Sequence, residues 1–315
     1  MTQLLMTQAP EFTAPSIDWW PLVPTIVVLL GAVVGVLIEA FVPKGARRPT
    51  NIVWTVLVLG AAFLPATIQS ATAYESPSVI GEFVDDTLTA SMQIIVTLIG
   101  FLSVLVMADR TAVGDGAFAG QPSDRPGSGE ESLTIAKGYQ RSEFFPLALF
   151  SIGGMMLFPA SDSLLTMFVA LEVMSLPLYV LAASARRRRE LSQESAIKYF
   201  ILGSFAAAFF LMGSALLYGY SGGSLRLGAI ANAIPYANNM DWILLVGVVM
   251  VMAGLLFKVA VFPFQQWAPD VYTGAPTPVT GFMAAGVKVA AFGALLRFYV
   301  VVAGHLKWDF ALLFG

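Results

Sequence analysis

The chain has 315 residues, is 57% hydrophobic and only 12% charged, and carries a net charge of −3 with a mean hydropathy of +0.77. Soluble domains carry about twice that charged fraction, so the composition points to a polytopic membrane protein and away from a soluble enzyme or an electrostatic binder of nucleic acid. With no cysteine, the chain itself cannot hold an iron–sulfur cluster through thiolates, build a zinc-thiolate site or form a disulfide, so redox chemistry must belong to a partner.

In chain order, residues 1–21 contain no Lys or Arg and no compact apolar stretch after a basic start; they read as a short tail outside the membrane, not a cleavable signal peptide. Eight apolar runs are long enough to span: Leu22–Val42, Ile52–Ile68, Thr87–Ala108, Phe144–Ala160, Leu164–Ala183, Tyr199–Tyr220, Trp242–Phe262 and Val279–Val302. With the N-terminus outside, eleven basic residues fall in inner loops (Lys44, Arg47, Arg48, Arg110, Arg125, Lys137, Arg141 and Arg186 to Arg189) and two, Arg226 and Lys307, fall outside. The positive-inside rule then sets the orientation, with the four consecutive arginines as a topology anchor beside anionic headgroups. Residues 109–142 are rich in Gly, Asp, Ser and Pro and read as a flexible cytoplasmic loop. Their Gly114, Gly116 and Gly120 lack the preceding strand and following helix that a phosphate loop requires. The single histidine, His305, lies beyond the last long run and reads as a surface residue.

Four ionisable groups stand inside or at the edge of these runs, and each costs about 2.5 to 3.5 kcal/mol at a bilayer centre on insertion scales. Glu172 is mid-span, and Pro177 in the same helix frees a backbone carbonyl near Val173. Lys198 follows Glu194 by four residues, the order that favours a helical ion pair, with Ser192 as the expected N-cap. Lys258 precedes Pro263, Pro269, Pro276 and Pro278 in a stretch too long for one straight span and too apolar for a solvated loop. That pattern predicts a helix broken near Pro263, with its irregular backbone buried in protein, as at ion sites of transporters. A desolvated amine beside the break can trade a proton. Lys288 is ten residues into its run, too deep to snorkel easily, whereas Arg297 nearer the outer end reads as a partner for a headgroup or another subunit. Alternating acid and base groups on adjacent helices can pass a proton through intervening water.

The strings LEVMSLPLYVL at 171–181, SAIKYFILGS at 195–204 and FKVAVFPFQQWAPDVYTGAPTPVTGFMAAGVKVAAFG at 257–293 together resemble the antiporter-like membrane subunits of respiratory complex I, the subunit N family of proton-pumping NADH-quinone oxidoreductase. The resemblance implies an all-α polytopic fold of about eight transmembrane helices with a broken seventh helix and one copy of the antiporter-like five-helix repeat. It divides the chain into a tail and three helices (1–108), the loop (109–142), the five-helix half-channel (143–302) and an outer segment that starts a further helix (303–315). It also implies a proton relay through Glu172, Lys198, Lys258 and Lys288, with Glu172 and Lys258 as the coupling pair. No cofactor is implied in this chain; NADH, FMN, iron–sulfur clusters and quinone would lie on partner subunits of a hetero-oligomer in the cell (inner) membrane, and no nucleic acid is involved. The family has about fourteen helices, so the C-terminal half and its further lysine are expected to be missing here. Two other readings stand beside this one: a subunit of a multisubunit cation/proton antiporter, and a shortened remnant that only supports assembly.

Overall fold

The structure is a computed structural model, which describes residues 17–72, 81–109, 116–118, 127–136, 142–186, 188–234 and 241–306. Its helices are α1 (Val23–Phe41), α2 (Lys44–Thr72), α3 (Thr87–Ala108), α4 (Gly129–Ala136), α5 (Phe144–Leu157), α6 (Leu164–Ala182), α7 (Arg189–Tyr220), α8 (Leu227–Ala233), α9 (Asp241–Val259), α10 (Trp267–Gly274), α11 (Thr277–Phe282) and α12 (Lys288–Val301). A π-turn over Met283–Val287 fuses α11 and α12 into one continuous span.

Seven of these stretches are long and apolar enough to cross a membrane. The fourth expected span is shorter: α5 is helical for 14 residues, about 21 Å, against a hydrocarbon core of roughly 30 Å. Eleven of its residues are buried and it packs against α1, α3 and α6. A helix enclosed by protein has its length set by its neighbours, not by lipid, and it is apolar all round for the same reason.

Local sequence explains the ends. Asp86 caps α3 by accepting the Thr89 N–H at 2.8 Å. Pro24 sits in the first turn of α1, where its missing N–H is no loss. Ser192, expected to open the sixth span, instead lies inside α7, which begins three residues earlier. Its Oγ donates to the Ala182 carbonyl at 2.7 Å and accepts from the Ala185 N–H at 3.3 Å, so it closes the end of α6. The last carbonyls of a helix are orphaned in any case, and a nearby hydroxyl finds them as readily as it would find N–H groups.

Packing between α7 and α9 is close. A Cβ on Gly213 would lie 2.7 Å from the Gly247 carbonyl oxygen and 2.7 Å from the Val251 nitrogen. Small residues that admit such backbone contact are how membrane helices gain dispersion energy without a hydrophobic drive between them.

The break after α9 starts where the sequence places it, with Ala260 in the left-handed region at φ 61°. Its burial differs from expectation: Val261 is 40% exposed and Phe262 79% exposed, because α10 folds back onto α7 and leaves the outer side of the turn uncovered. Arg297 also departs from the sequence reading. It is 5% exposed and bound within the chain, donating to both oxygens of Asp86 at 2.8 and 2.9 Å, to Thr89 Oγ1 at 2.9 Å and to the Pro159 carbonyl. It thereby clamps α12 to the start of α3 and the end of α5. His305 is exposed, as its position suggested.

Within 109–142, the described residues include α4, whose Glu131 is buried and accepts from Arg186 Nε at 2.6 Å and from the Gly127 N–H at 2.7 Å. The Arg186 hydrogen bond holds this carboxyl below the usual carboxylate range. Phe118 stacks on Phe144 with ring centroids 4.0 Å apart. Among the described residues, the loop is tied to the bundle by this ion pair, by the ring pair, by the Arg186 N–H donating to the Ala117 carbonyl at 3.0 Å and by Ser142 donating to Glu39, even though its composition offers little apolar surface. Arg110, Arg125, Lys137, Arg141, Arg187 and Lys307 lie outside the described residues.

Candidate functional site

On α6, Glu172, Ser175 and Tyr179 are spaced by three and four residues, which places three polar groups along one face of a largely apolar helix. Lys258, one residue before the end of α9, meets that face and is 0% exposed. Its Nζ donates to Ser175 Oγ at 2.8 Å, and Ser175 Oγ in turn donates to the Leu171 carbonyl. The ammonium lies 5.3 Å from the Tyr199 ring centroid and 5.7 Å from that of Tyr179. Two ring faces and one hydroxyl offset only part of the cost of removing an ammonium from water, since cation–π contacts contribute about 0.5 to 2 kcal/mol each.

Glu172 is half-buried and interacts electrostatically with Lys258, but no ion pair within 4.0 Å joins them. Lys258 meets α6 at Ser175, three residues along that helix from Glu172. Pro177 lies inside α6 without ending it, and neighbouring carbonyls are taken up by hydroxyls: Ser151 donates to Met174 O at 2.8 Å, alongside the Ser175 bond to Leu171.

The start of α10 completes the chamber. Trp267 stacks on Tyr199 at 5.0 Å and on Phe257 at 5.4 Å, and its Nε1–H donates to the Phe257 carbonyl at 2.8 Å. Helix α10 is strapped to α7 by Ser195 Oγ donating to the Asp270 carbonyl at 3.0 Å. Gly274 is required there, because a Cβ would lie 1.9 Å from Ser195 Oγ and 2.5 Å from the Leu191 carbonyl oxygen.

Lys288 is half-buried directly after the π-turn, with its Nζ 5.7 Å from the Tyr272 ring centroid. An extra residue per turn there re-aims the following side chains, and π-turns are frequent at functional positions. Lys198 is different. It is 44% exposed and pairs with Glu194 at 2.8 Å and with Asp270 at 3.3 Å. The sequence anticipated the first partner but not the second, which comes from α10. The fold therefore gathers Glu172, Lys258 and Lys288 around the break and leaves Lys198 at the rim. Ser175, Tyr179, Tyr199 and Trp267 were not singled out from sequence, although the 172, 175, 179 spacing carried the signal for two of them.

Fold and site together define a multi-pass helical membrane protein built around a buried lysine at a broken helix. A family model described as "NADH:quinone oxidoreductase/Mrp antiporter, TM" matches residues 161–314. The chain is 48% identical over 309 residues to NADH-quinone oxidoreductase subunit N of Beutenbergia cavernae and 47% identical over 309 residues to that of Acidothermus cellulolyticus. These alignments cover 95% and 94% of this chain but 58% and 57% of the relatives, so it spans a little over half their length. Among solved structures, a chain of respiratory complex I from Thermus thermophilus with bound aureothin matches with a TM-score of 0.67 and 32% identity, over 87% of this chain and 52% of that one. A chain of the Mrp complex of Dietzia sp. shares the fold, with a TM-score of 0.69, 20% identity, and coverage of 92% and 51%. Over nearly all of its length the chain is therefore similar to NADH-quinone oxidoreductase subunit N, and residues 161–314 match the antiporter-like membrane domain.

Proposed function

We propose that this chain moves protons as part of the membrane arm of an NADH-quinone oxidoreductase, with electron transfer from NADH to quinone occurring on partner subunits. The observation that carries the reading is Lys258: fully buried beside a broken helix, hydrogen-bonded to one hydroxyl and electrostatically linked to Glu172 without a direct ion pair. A structural ion pair would be locked; two groups held apart can gain and lose protons in turn, each shifting the other by charge proximity. The scale is modest, since moving one charge through about 100 mV corresponds to roughly 2.3 kcal/mol.

In this scheme Glu172 and Lys258 are the coupled pair, Lys288 is the next carrier, and Lys198 with Asp270 serves at the rim. The half-channel is the unit from residue 143 to residue 302. The N-terminus faces outward and the arginine-rich turns face the cytoplasm of an inner cell membrane, on the count of eleven basic residues against two. NADH, FMN, iron–sulfur clusters and quinone sit on the partners, in keeping with a chain that has no cysteine. The names of the relatives favour this over a cation/proton antiporter, although the matching family model covers both.

The test is Lys258→Ala in vesicles containing the assembled complex, with NADH oxidation and internal acidification measured together. Acidification per NADH falls while the subunit still assembles. An unchanged ratio removes the translocation reading, and loss of sodium tolerance with intact NADH-driven acidification selects the antiporter instead.

A further inference from the structure

Helices α7 and α9 leave a groove of about 490 Å³ on their outer side, beside the break and apart from the four ionisable groups of the scheme above. Phe205 and Phe209 stand exposed along its edge, and Ala206 and Ala253 form its floor, where small side chains leave room. The two helices touch beneath it, since a Cβ on Gly254 would lie 3.1 Å from the Ala206 carbonyl oxygen. The groove is therefore a hollow on the membrane side of the pair and not a slot through the bundle. Its walls are almost wholly apolar, so it offers water few partners and takes hydrocarbon.

One end of this groove is charged. Lys198 lies four residues before the lining residue Leu202 on α7, and Asp270 on α10 lies four residues after the lining residue Gln266. Each charge thus stands one helical turn beyond the groove, on the face that lines it. The Lys198 ammonium is 2.8 Å from Glu194 and 3.3 Å from Asp270, and all three side chains are about half exposed. One positive and two negative groups give this rim a local charge of −1. An ammonium has three donors, so one remains over among the described residues. The depth also suits a lipid. Helix α7 has 32 residues, about 48 Å, against roughly 30 Å of hydrocarbon, so about 9 Å of each end stands among headgroups. Lys198 is about 14 Å from the start of α7, just inside that boundary, where a lysine reaches back to the interface.

We propose that the groove and its rim bind a zwitterionic phospholipid carrying a primary ammonium, phosphatidylethanolamine, with one acyl chain in the groove and the headgroup at Lys198. The lipid phosphate accepts the remaining Lys198 donor, and the lipid ammonium donates to Glu194 and Asp270. A phosphatidylglycerol headgroup is anionic, has no ammonium for the two carboxylates and meets a rim of its own sign. A choline headgroup is zwitterionic but has no N–H to donate. This site goes beyond the proposed proton role and does not rest on it.

The test reconstitutes the chain, within the complex in which it assembles, into vesicles containing phosphatidylethanolamine or phosphatidylglycerol that bears a photoreactive diazirine on one acyl chain. Labelled peptides are located by mass spectrometry. Phosphatidylethanolamine labels residues 202–209 and 249–257 about two- to fivefold more than phosphatidylglycerol does, the range expected of exposed ion pairs. Glu194→Gln combined with Asp270→Asn leaves the rim at +1 and reverses the preference, while Ala253→Phe fills the floor and lowers labelling by both lipids. Equal labelling of the wild type by the two lipids overturns the proposal, as does an unchanged preference in the double variant. Labelling of the exposed α1 residues Leu30 and Leu37 without labelling of the groove also overturns it, because a protein partner then covers the site. Should the variants fail to assemble, competition in the wild type decides: unlabelled phosphatidylethanolamine displaces the probe from the groove at a lower mole fraction than phosphatidylglycerol, and equal displacement overturns the proposal.

Discussion

Arg297→Ala removes the clamp between α12 and the start of α3. The guanidinium is 5% exposed and makes four hydrogen bonds, two of them a fork onto Asp86. Truncating one partner of a buried pair costs about 3 to 5 kcal/mol. The Asp86 side chain is 30% exposed, so water partly resolvates it once the arginine is gone, which brings the expected loss to about 2 to 3 kcal/mol. At about 2 to 4 °C per kcal/mol for a chain above 150 residues, the melting temperature in detergent falls by roughly 5 to 10 °C. Arg297→Lys keeps the charge but loses the fork and falls between the two.

The pH dependence has a definite sign. Burial alone pushes the Asp86 carboxyl up, but the Arg297 guanidinium and the Thr89 N–H outweigh it and hold it below the usual carboxylate range. A carboxyl depressed in the folded state contributes stability above its unfolded pKa of about 4, and that stability is lost as pH falls through the folded value. Wild type therefore loses melting temperature on the acid side more steeply than Asp86→Asn. The assay is a tryptophan-fluorescence melt of the purified chain across pH. An Arg297→Ala melt within about 2 °C of wild type at neutral pH refutes the clamp as a stabilising element.

Three further outcomes test other parts of the fold. Gly274→Ala forces α10 away from α7 and costs about 1 to 3 kcal/mol, seen as a lower melting temperature that Ser195→Ala does not restore, because the Leu191 carbonyl would still lie 2.5 Å from the new Cβ. Ala260→Gly relieves a left-handed conformation worth about 1 kcal/mol and raises the melting temperature, whereas Ala260→Val lowers it; a rise in the valine variant would contradict the φ of 61°. Lys198→Ala leaves the melting temperature unchanged at high ionic strength, since the lysine is 44% exposed, and lowers NADH-driven acidification less than Lys258→Ala does; equal losses would move Lys198 from the rim into the path.

Hydrophobic run length located the long helices because a lipid-facing helix must present about 20 apolar residues, and this requirement is local. Thr87–Ala108 agrees residue for residue, and the break falls next to Pro263 because proline removes a donor wherever the chain goes. The short α5 was not legible, since its length follows from being surrounded by other helices. Nor was the second partner of Lys198, whose Asp270 lies on a different helix and is brought alongside only by the fold.

Sequence by itself determined the class of protein, the positions of its apolar helices and the list of costly charges, because transfer from water to hydrocarbon is a property each residue carries with it. Tertiary structure decided which of those charges are interior. It sorted Lys258 into a chamber of rings and one serine hydroxyl, turned Arg297 from a suspected surface contact into an internal clamp, and left Lys198 at the rim. The physical reason is that desolvation and hydrogen-bond geometry depend on the groups that surround an atom, and in this chain those groups come from helices far apart in sequence.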